Sequence, residues 1–116
     1  MKVIDTSNVQ FAEMTSKMFI GEVRRNQLID EMQGQGLRMG LAKFSPGSRT
    51  VSHTHTSEQV LFVVEGKGIL ATETEENVVT PGTLIYIPPK ESHWHGATKD
   101  SSFSHLSIQM PGKTNF

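Results

Sequence analysis

The chain has 116 residues, of which 35% are hydrophobic and 20% are charged, and its formal net charge is -1. This length supports the core of one domain, and the near-neutral charge disfavours a nucleic-acid-binding protein. Because the sequence contains no cysteine, disulfides and thiolate metal sites are excluded, and any metal ligands would be histidine and oxygen atoms.

The first ten residues, MKVIDTSNVQ, lack the apolar core of a signal peptide, and no apolar run is long enough to span a membrane. We therefore expect a cytoplasmic location. A small molecule is the expected partner, rather than a nucleic acid or a membrane.

Residues 1–22 carry a weak pattern and are predicted to form an N-terminal arm, in which VQFAEMTSKMF is either a short helix or a loose segment. Residues 23–116 are predicted to form a single domain. There, short alternating apolar segments are cut by turn residues at intervals of roughly 8–12 residues, which is typical of an antiparallel sandwich or barrel. The predicted strands are 23–29, 37–44, 50–55, 59–64, 68–72, 77–80, 83–87, 93–96 and 103–109.

The turns between these strands have local causes. Gly34 in GQG gives the backbone freedom, and the pairs Pro46-Gly47 and Pro81-Gly82 fit turns in which proline precedes glycine. The segment IPPKE is predicted to end a strand, because proline cannot donate a hydrogen bond to a neighbouring strand.

Two histidines stand one residue apart in SHTHTSEQVLFVVEGKG. Because alternate residues of a strand share a face, His53 and His55 would point to the same side as Gln59, and Glu58 would point to the other side. This holds if no bulge intervenes. A His-x-His pair on a strand suits zinc, iron, nickel or copper, whose ligands include imidazole.

A second pair, His93 and His95 in ESHWHGA, has the same spacing, and the remaining histidine is His105 in FSHLS. Two such pairs favour a metal site more than one pair does. On spacing alone, His105 is more simply a hydrogen-bonded or surface histidine.

Other conspicuous side chains have simpler interpretations. Trp94 and Phe103 are predicted to be packing residues. Arg24 and Arg25 could bind an anion, but a polar role on an edge strand accounts for them more simply.

The histidine segment resembles the first motif of the cupin superfamily, small β-barrels that carry a metal inside. That motif reads G-x5-H-x-H-x3-4-E-x6-G, and Gly47, His53, His55 and Gly66 are in register with it. Gln59 stands at the glutamate position.

The second cupin motif reads G-x5-P-x-G-x2-H-x3-N. Gly82, Pro88 and His93 match it, whereas Lys90 replaces the middle glycine and Ala97 replaces the asparagine. The resemblance covers roughly residues 23–110. It implies an all-β fold, the antiparallel double-stranded β-helix known as the cupin or jelly-roll barrel.

A narrower similarity lies in FSPGSRTVSHTHTSEQVLFVVEGKG and IPPKESHWHGATKDSSFSHLSI, which look like single-domain cupins related to carboxymuconolactone decarboxylases. This group includes manganese-dependent cupin hydroxynitrile lyases. The resemblance implies a homodimer, a divalent transition metal (Mn, Fe, Ni or Zn, with Mn slightly favoured), and His95 and His105 in or near the pocket. The metal ligands that it implies are His53, His55, Gln59 and His93.

Three neutral imidazoles and a carboxamide would leave the full charge of a divalent ion in place and make it a strong Lewis acid. Oxygen activation is less favoured, because non-haem iron oxygenases commonly add a carboxylate to two histidines. We therefore predict a metal-dependent lyase or decarboxylase-like enzyme acting on a small hydroxy or carbonyl compound, with His105 as general base and His95 as its rival. Two alternatives stay open: a non-catalytic cupin that binds or senses a small molecule, and a metal-dependent dioxygenase.

Overall fold

The computed structural model describes residues 1–30 and 36–116, so the predicted turn at Gly34 lies outside the described residues. Among these described residues, a 3-10 turn at Thr6–Asn8 precedes thirteen short strands. They are β1 (Ala12–Glu13), β2 (Phe19–Ile20), β3 (Val23–Ile29), β4 (Arg38–Phe44), β5 (Arg49–Thr50), β6 (Thr54–His55), β7 (Gln59–Gly66), β8 (Gly68–Thr72), β9 (Glu76–Val79), β10 (Leu84–Ile87), β11 (His93–Ala97), β12 (Phe103–Gln109) and β13 (Thr114–Asn115).

The strands form two main antiparallel sheets, which confirms the predicted all-β antiparallel fold. One sheet has the order β1-β3-β4-β12-β7-β10, and the other has the order β2-β5-β11-β8-β9. The last strand, β13, pairs with β6 in a small third sheet. No helix among the described residues is long and apolar enough to cross a membrane.

The hydrophobic core takes side chains from both main sheets. The inward residues of β7 alternate with exposed or half-buried ones, and Leu61, Val63 and Phe103 are completely buried. Burying each such side chain stabilises the fold by about 1.5–3 kcal/mol. The core cluster consists of Val23, Ala42, Phe44, Leu61, Val63, Leu70, Val79, Ile87, Ala97 and Phe103.

Most predicted strands are found with small shifts at their ends, but the predicted strand 50–55 is divided into β5 and β6. Between these two strands the backbone pairs through a single isolated bridge from His53 to His93. Trp94, predicted to pack, lies against the guanidinium of Arg49, which is 4.0 Å from the centre of its ring.

The predicted proline-glycine turns are confirmed. After Pro46, Gly47 has a φ of 79°, and the Ser48 N–H donates to the Ser45 carbonyl at 2.9 Å. The second turn repeats this arrangement with a φ of 90° at Gly82. Glycine suits both positions because it adopts positive φ without a steric penalty.

Lys90, which replaces a motif glycine, has the left-handed backbone conformation that glycine adopts easily, with a φ of 68°. Among non-glycine residues this conformation costs roughly 1–2 kcal/mol. The Lys90 N–H donates to the His55 carbonyl at 2.8 Å, so this residue connects the middle of the second motif to β6.

The segment 1–22, predicted to be an arm, contributes a strand to each main sheet. Ala12 pairs with Arg25 through β1, and Phe19 pairs with Thr50 through β2. No helix forms between residues 9 and 19. The boundary between an arm and a domain at residue 23 stays a prediction.

Candidate metal centre

His53 and His93 are brought together by their own backbones. The His53 N–H donates to the His93 carbonyl at 2.9 Å, and the His93 N–H donates to the His53 carbonyl at 3.0 Å. Residues paired in this way across antiparallel strands project their side chains to the same face. The centres of the two imidazole rings are therefore only 4.3 Å apart.

His55, on the neighbouring strand β6, completes a cluster of three imidazoles. Its ring centre lies 4.9 Å from that of His53 and 5.3 Å from that of His93. Each ring offers one nitrogen, and these three atoms lie within 4.8 Å of one another. All three side chains are buried. The histidines thus form a compact metal-binding cluster inside the barrel.

Backbone carbonyls orient two of the rings. His53 Nδ1 donates to the Val51 carbonyl at 2.8 Å, and His93 Nδ1 donates to the Glu91 carbonyl at 2.9 Å. A carbonyl can only accept, so the ring proton of each neutral imidazole is on Nδ1 and the lone pair is on Nε2. Such contacts commonly fix the tautomer of histidines that bind metals.

The third ring, His55, is held by a hydroxyl from the C-terminal strand. Its Nδ1 lies 2.9 Å from Thr114 Oγ1 on β13. In His53, His55 and His93 alike, Nε2 is buried and has no hydrogen-bond partner among the described residues. A metal ion would satisfy all three of these atoms.

Burial keeps these imidazoles neutral near pH 7. Desolvation lowers the pKa of His53 to about 4 and that of His55 to about 4, and the neighbouring histidines contribute to both decreases. Desolvation also lowers the pKa of His93. A neutral imidazole has the free lone pair that metal binding requires.

Gln59 lies beside the cluster and directs an oxygen toward it. Its Nε2 donates to Ser107 Oγ at 2.8 Å, which leaves the buried Oε1 without a hydrogen-bond partner among the described residues. The side chain is close enough to His55 to raise the pKa of that ring. Glu58 is exposed and accepts a hydrogen bond from the Tyr86 hydroxyl at 2.7 Å, so it faces away from the cluster.

The donor atoms present at this site fit a divalent transition metal. Buried polar atoms in native proteins nearly always have partners, yet three imidazole nitrogens and one carboxamide oxygen lack one here. Imidazole suits zinc, copper, iron and nickel, and a neutral oxygen donor is compatible with several of them. The three histidines are the metal-binding site, and the assignment of Gln59 as a fourth ligand stays a prediction.

The two remaining histidines form a buried pair next to the cluster. His105 Nε2 and His95 Nδ1 are 3.1 Å apart, so one ring donates to the other. The His95 ring centre lies 5.5 Å from that of His53. Burial lowers the pKa of both His95 and His105, the latter to about 4.

His53, His55, Gln59, His95 and His105 line a cavity of about 90 Å³. Besides polar groups, it is lined by apolar side chains that include Phe44, whose ring contacts those of His95 and His105. Arg25 also lines the cavity. Arg25 shares a face of β3 with the buried Val23, so its position differs from the predicted polar role on an edge strand.

An antiparallel barrel with three convergent histidines on its inner face defines a metal-binding β-barrel protein. The sequence model of the family described as Cupin domain matches residues 40–109. The chain therefore belongs to the cupin family, as the two motifs predicted, and its fold is the double-stranded β-helix.

Known relatives include two lyases. The chain is 36% identical over 94 residues to the (R)-mandelonitrile lyase of Granulicella tundricola, an alignment that covers 78% of this chain and 70% of that protein. It is 32% identical over 92 residues to the dimethylsulfoniopropionate lyase DddW of Ruegeria pomeroyi, covering 78% of this chain and 60% of that protein.

The fold is also similar to a solved structure, that of a cupin-like protein from Thermotoga maritima. The TM-score is 0.86 at 30% identity, and the superposition covers 90% of this chain and 83% of the other.

Proposed function

We propose that this cupin is a metal-dependent lyase that cleaves a bond in a small hydroxy or carbonyl compound. The observation that carries the proposal is the convergence of four buried metal-donor atoms, which lack a hydrogen-bond partner among the described residues, beside a cavity that also holds a neutral pair of histidines. The similarity to two proteins named as lyases supports the reaction class.

The metal would be held by His53, His55 and His93, with Gln59 as a fourth ligand. A bound divalent ion would supply a Lewis acid for the hydroxyl or carbonyl oxygen of the substrate. The resemblance to manganese-dependent cupins favours manganese over iron, nickel or zinc, and elemental analysis of protein purified without added metal tests this choice.

The histidine pair would move the proton. Each neutral ring has one N–H and one lone pair, and the bond between His105 and His95 uses one of each. If His105 donates to His95, the nitrogen lone pair that stays free in the two rings is on His105 Nδ1. This atom is buried and has no partner among the described residues. We assign the base role to His105 on this ground. If His95 donates instead, the free lone pair is on His95 Nε2, and His95 is the base.

The proposed reaction balances without a further reactant. The base takes the hydroxyl proton, the oxygen forms a carbonyl with its carbon, and the adjacent carbon–carbon bond breaks. The bonding electron pair leaves with the departing carbon, which then takes the proton back from the imidazolium. The products are a carbonyl compound and a protonated leaving group.

Metal-defined protein assayed against cyanohydrins, hydroxy acids and lactones tests this proposal. We expect turnover of at least one class and its loss in a chelated sample. Binding of a compound without turnover would instead support the non-catalytic binding or sensing cupin. Oxygen consumption that depends on metal would support the dioxygenase.

We further infer a homodimer and a cytoplasmic location. The resemblance to small cupins supports the first inference. Light scattering after gel filtration measures the mass of the assembly, and cell fractionation tests the location.

A further inference from the structure

Arg25 extends from β3 into the cavity next to the metal centre. It follows Val23 on the inward face of that strand, and it lines the same cavity as His55, Gln59 and His105. Arg24, its neighbour in sequence, is exposed on the opposite face. One of two adjacent arginines is therefore committed to the interior of the barrel.

A glycine on the adjacent strand makes room for the Arg25 guanidinium. A Cβ atom built at Gly40 would lie 3.1 Å from both Nε and Nη2 of Arg25, which is closer than ordinary contact. The guanidinium therefore occupies space that a side chain at position 40 would fill.

The positive charge of Arg25 is not neutralised by the protein around it. None of the side chains that line the cavity is acidic, and in the described part of the chain no carboxylate pairs with this guanidinium. Burial and the nearby cation Arg38 both lower the pKa of Arg25, and its charge also acts on His55 and His105. A partly buried cation that has no carboxylate partner among the described residues is costly, and an anion would stabilise it.

Arg38 is not equivalent to Arg25. It donates from Nη2 to the Gly112 carbonyl at 3.3 Å and does not line the cavity. Ser107 would add a neutral hydrogen-bond donor to the positive charge of Arg25. Its oxygen accepts a hydrogen bond from Gln59, so its own hydroxyl proton is available to donate into the cavity.

We propose that Arg25 and Ser107 bind the carboxylate of the substrate, which makes short-chain 2-hydroxy or 2-oxo carboxylates the substrate class. Guanidinium and carboxylate groups match in a bidentate geometry. A cavity of about 90 Å³ is smaller than the ~150 Å³ that accommodates benzene, so the acid has few carbons. The assignment of these acids as substrates rests on the proposed lyase function, whereas the binding of the carboxylate does not.

The test compares lactate with lactamide, which has the same shape without the negative charge. Binding to metal-loaded protein is measured by calorimetry for the wild type, Arg25→Gln and the control Arg24→Gln. We expect lactate to bind about tenfold or more tightly than lactamide in the wild type and in Arg24→Gln. In Arg25→Gln the preference should fall by about tenfold while the metal content is unchanged.

Arg25→Lys covers the case in which Arg25→Gln fails to fold. It keeps the charge but loses the planar pair of donors, so the lactate preference should fall by several fold. An unchanged preference in Arg25→Gln, or in Arg25→Lys if only that variant folds, would overturn the proposal. Metal-loaded protein assayed against the same panel of compounds separates the two proposals, because a lactate preference without turnover of any class supports the carboxylate site and contradicts the lyase function. Turnover of neutral cyanohydrins that is unchanged in Arg25→Gln, with no lactate preference, would support the lyase function and contradict the carboxylate site.

Discussion

Glu58 and Gln59 are adjacent in sequence, but they occupy opposite sides of the barrel wall. Gln59 is 6% exposed and reaches the histidine cluster, whereas Glu58 is exposed and accepts a hydrogen bond from Tyr86. The alternation of strand residues predicted this division, and it holds although residues 56–58 are not in a strand. An acidic residue near a metal motif is thus not sufficient evidence for a ligand.

Replacing Gln59 tests whether its carboxamide oxygen binds the metal. Gln59→Leu should weaken metal affinity by at least about tenfold, because an oxygen donor is lost. Gln59→Glu should retain the metal, since a carboxylate also supplies an oxygen and lowers the net charge of the site. Metal titration followed by elemental analysis measures both effects.

Glu58→Gln is the matched control for the Gln59 variants and should keep the affinity of the wild type. Equal metal loss in Glu58→Gln and Gln59→Leu would contradict the assignment of Gln59.

His105→Ala tests whether His105 transfers the proton without binding the metal. Because His105 contacts His95 and not the three clustered rings, the variant should retain its metal and its folded state. It should lose on the order of 10²-fold in turnover, the usual size of a general acid or base contribution. The measurement is the turnover rate with the substrate found in the activity panel.

His95→Ala is the companion to this experiment. A comparable loss in His95→Ala with full activity in His105→Ala would assign the base role to His95.

At the scale of elements, the sequence predicted the long strands better than the short ones. The alternation in QVLFVVEG and FSHLSIQ is strong, and both strands were predicted at or near their observed bounds. By contrast, β13 consists of two residues, Thr114 and Asn115, and its pairing with β6 depends on a contact between distant parts of the chain. No local pattern indicates such a pairing.

The same limit applies to the residues that support the site. The motifs predicted the positions of His53, His55 and His93, because their spacing is regular in the sequence. Thr114, which contacts His55, has no such signal. Arg25 has such a signal in the alternation of β3, but from the sequence alone a polar role on an edge strand explains it more simply.

Thr114→Val tests whether the C-terminal strand contributes to metal binding. The change keeps the shape of the side chain and removes the hydroxyl that contacts His55 Nδ1 at 2.9 Å. Loss of a group that orients a ligand typically costs 10–100-fold in metal affinity, and we expect a decrease of about that size. The measurement is competition with a chelator of known affinity.

The control for this variant is Asn115→Ala, on the neighbouring exposed residue of β13, which should bind metal as the wild type does. Equal affinities in Thr114→Val and the wild type would show that the backbone positions His55 without the hydroxyl.

For the whole molecule, the barrel places polar functional groups directly against the apolar core. Phe44 belongs to the core cluster and also contacts the rings of His95 and His105. All five histidines are buried, and their neutral forms are compatible with that position, whereas their charged forms are not. Folding and protonation of the site are therefore coupled.

This coupling predicts that metal-free protein loses stability in mild acid. Burial lowers the pKa of His53, His55 and His105 to about 4, whereas in the unfolded chain they titrate near the ordinary value of 6.5. Between these two values the unfolded chain binds more protons than the folded one, so the free energy of unfolding decreases as the pH falls. Each of these histidines contributes at most about 1.4 kcal/mol per pH unit in this range.

Urea unfolding of chelated protein at roughly pH 7.5, 6 and 5 measures the effect. The first pH lies above the range between the folded and unfolded histidine pKa values, and the other two lie within it. The unfolding midpoint should change little above the ordinary histidine pKa and fall steadily below it. The variant His53→Ala should show a shallower decrease, because one of the coupled groups is gone. Metal loading should raise the free energy of unfolding at neutral pH by an amount that grows with the ratio of free metal to Kd, about 2.7 kcal/mol at a hundredfold ratio. That gain should shrink in acid as protons compete for the ring nitrogens. A midpoint of the chelated protein that is independent of pH across the whole range would contradict the coupling.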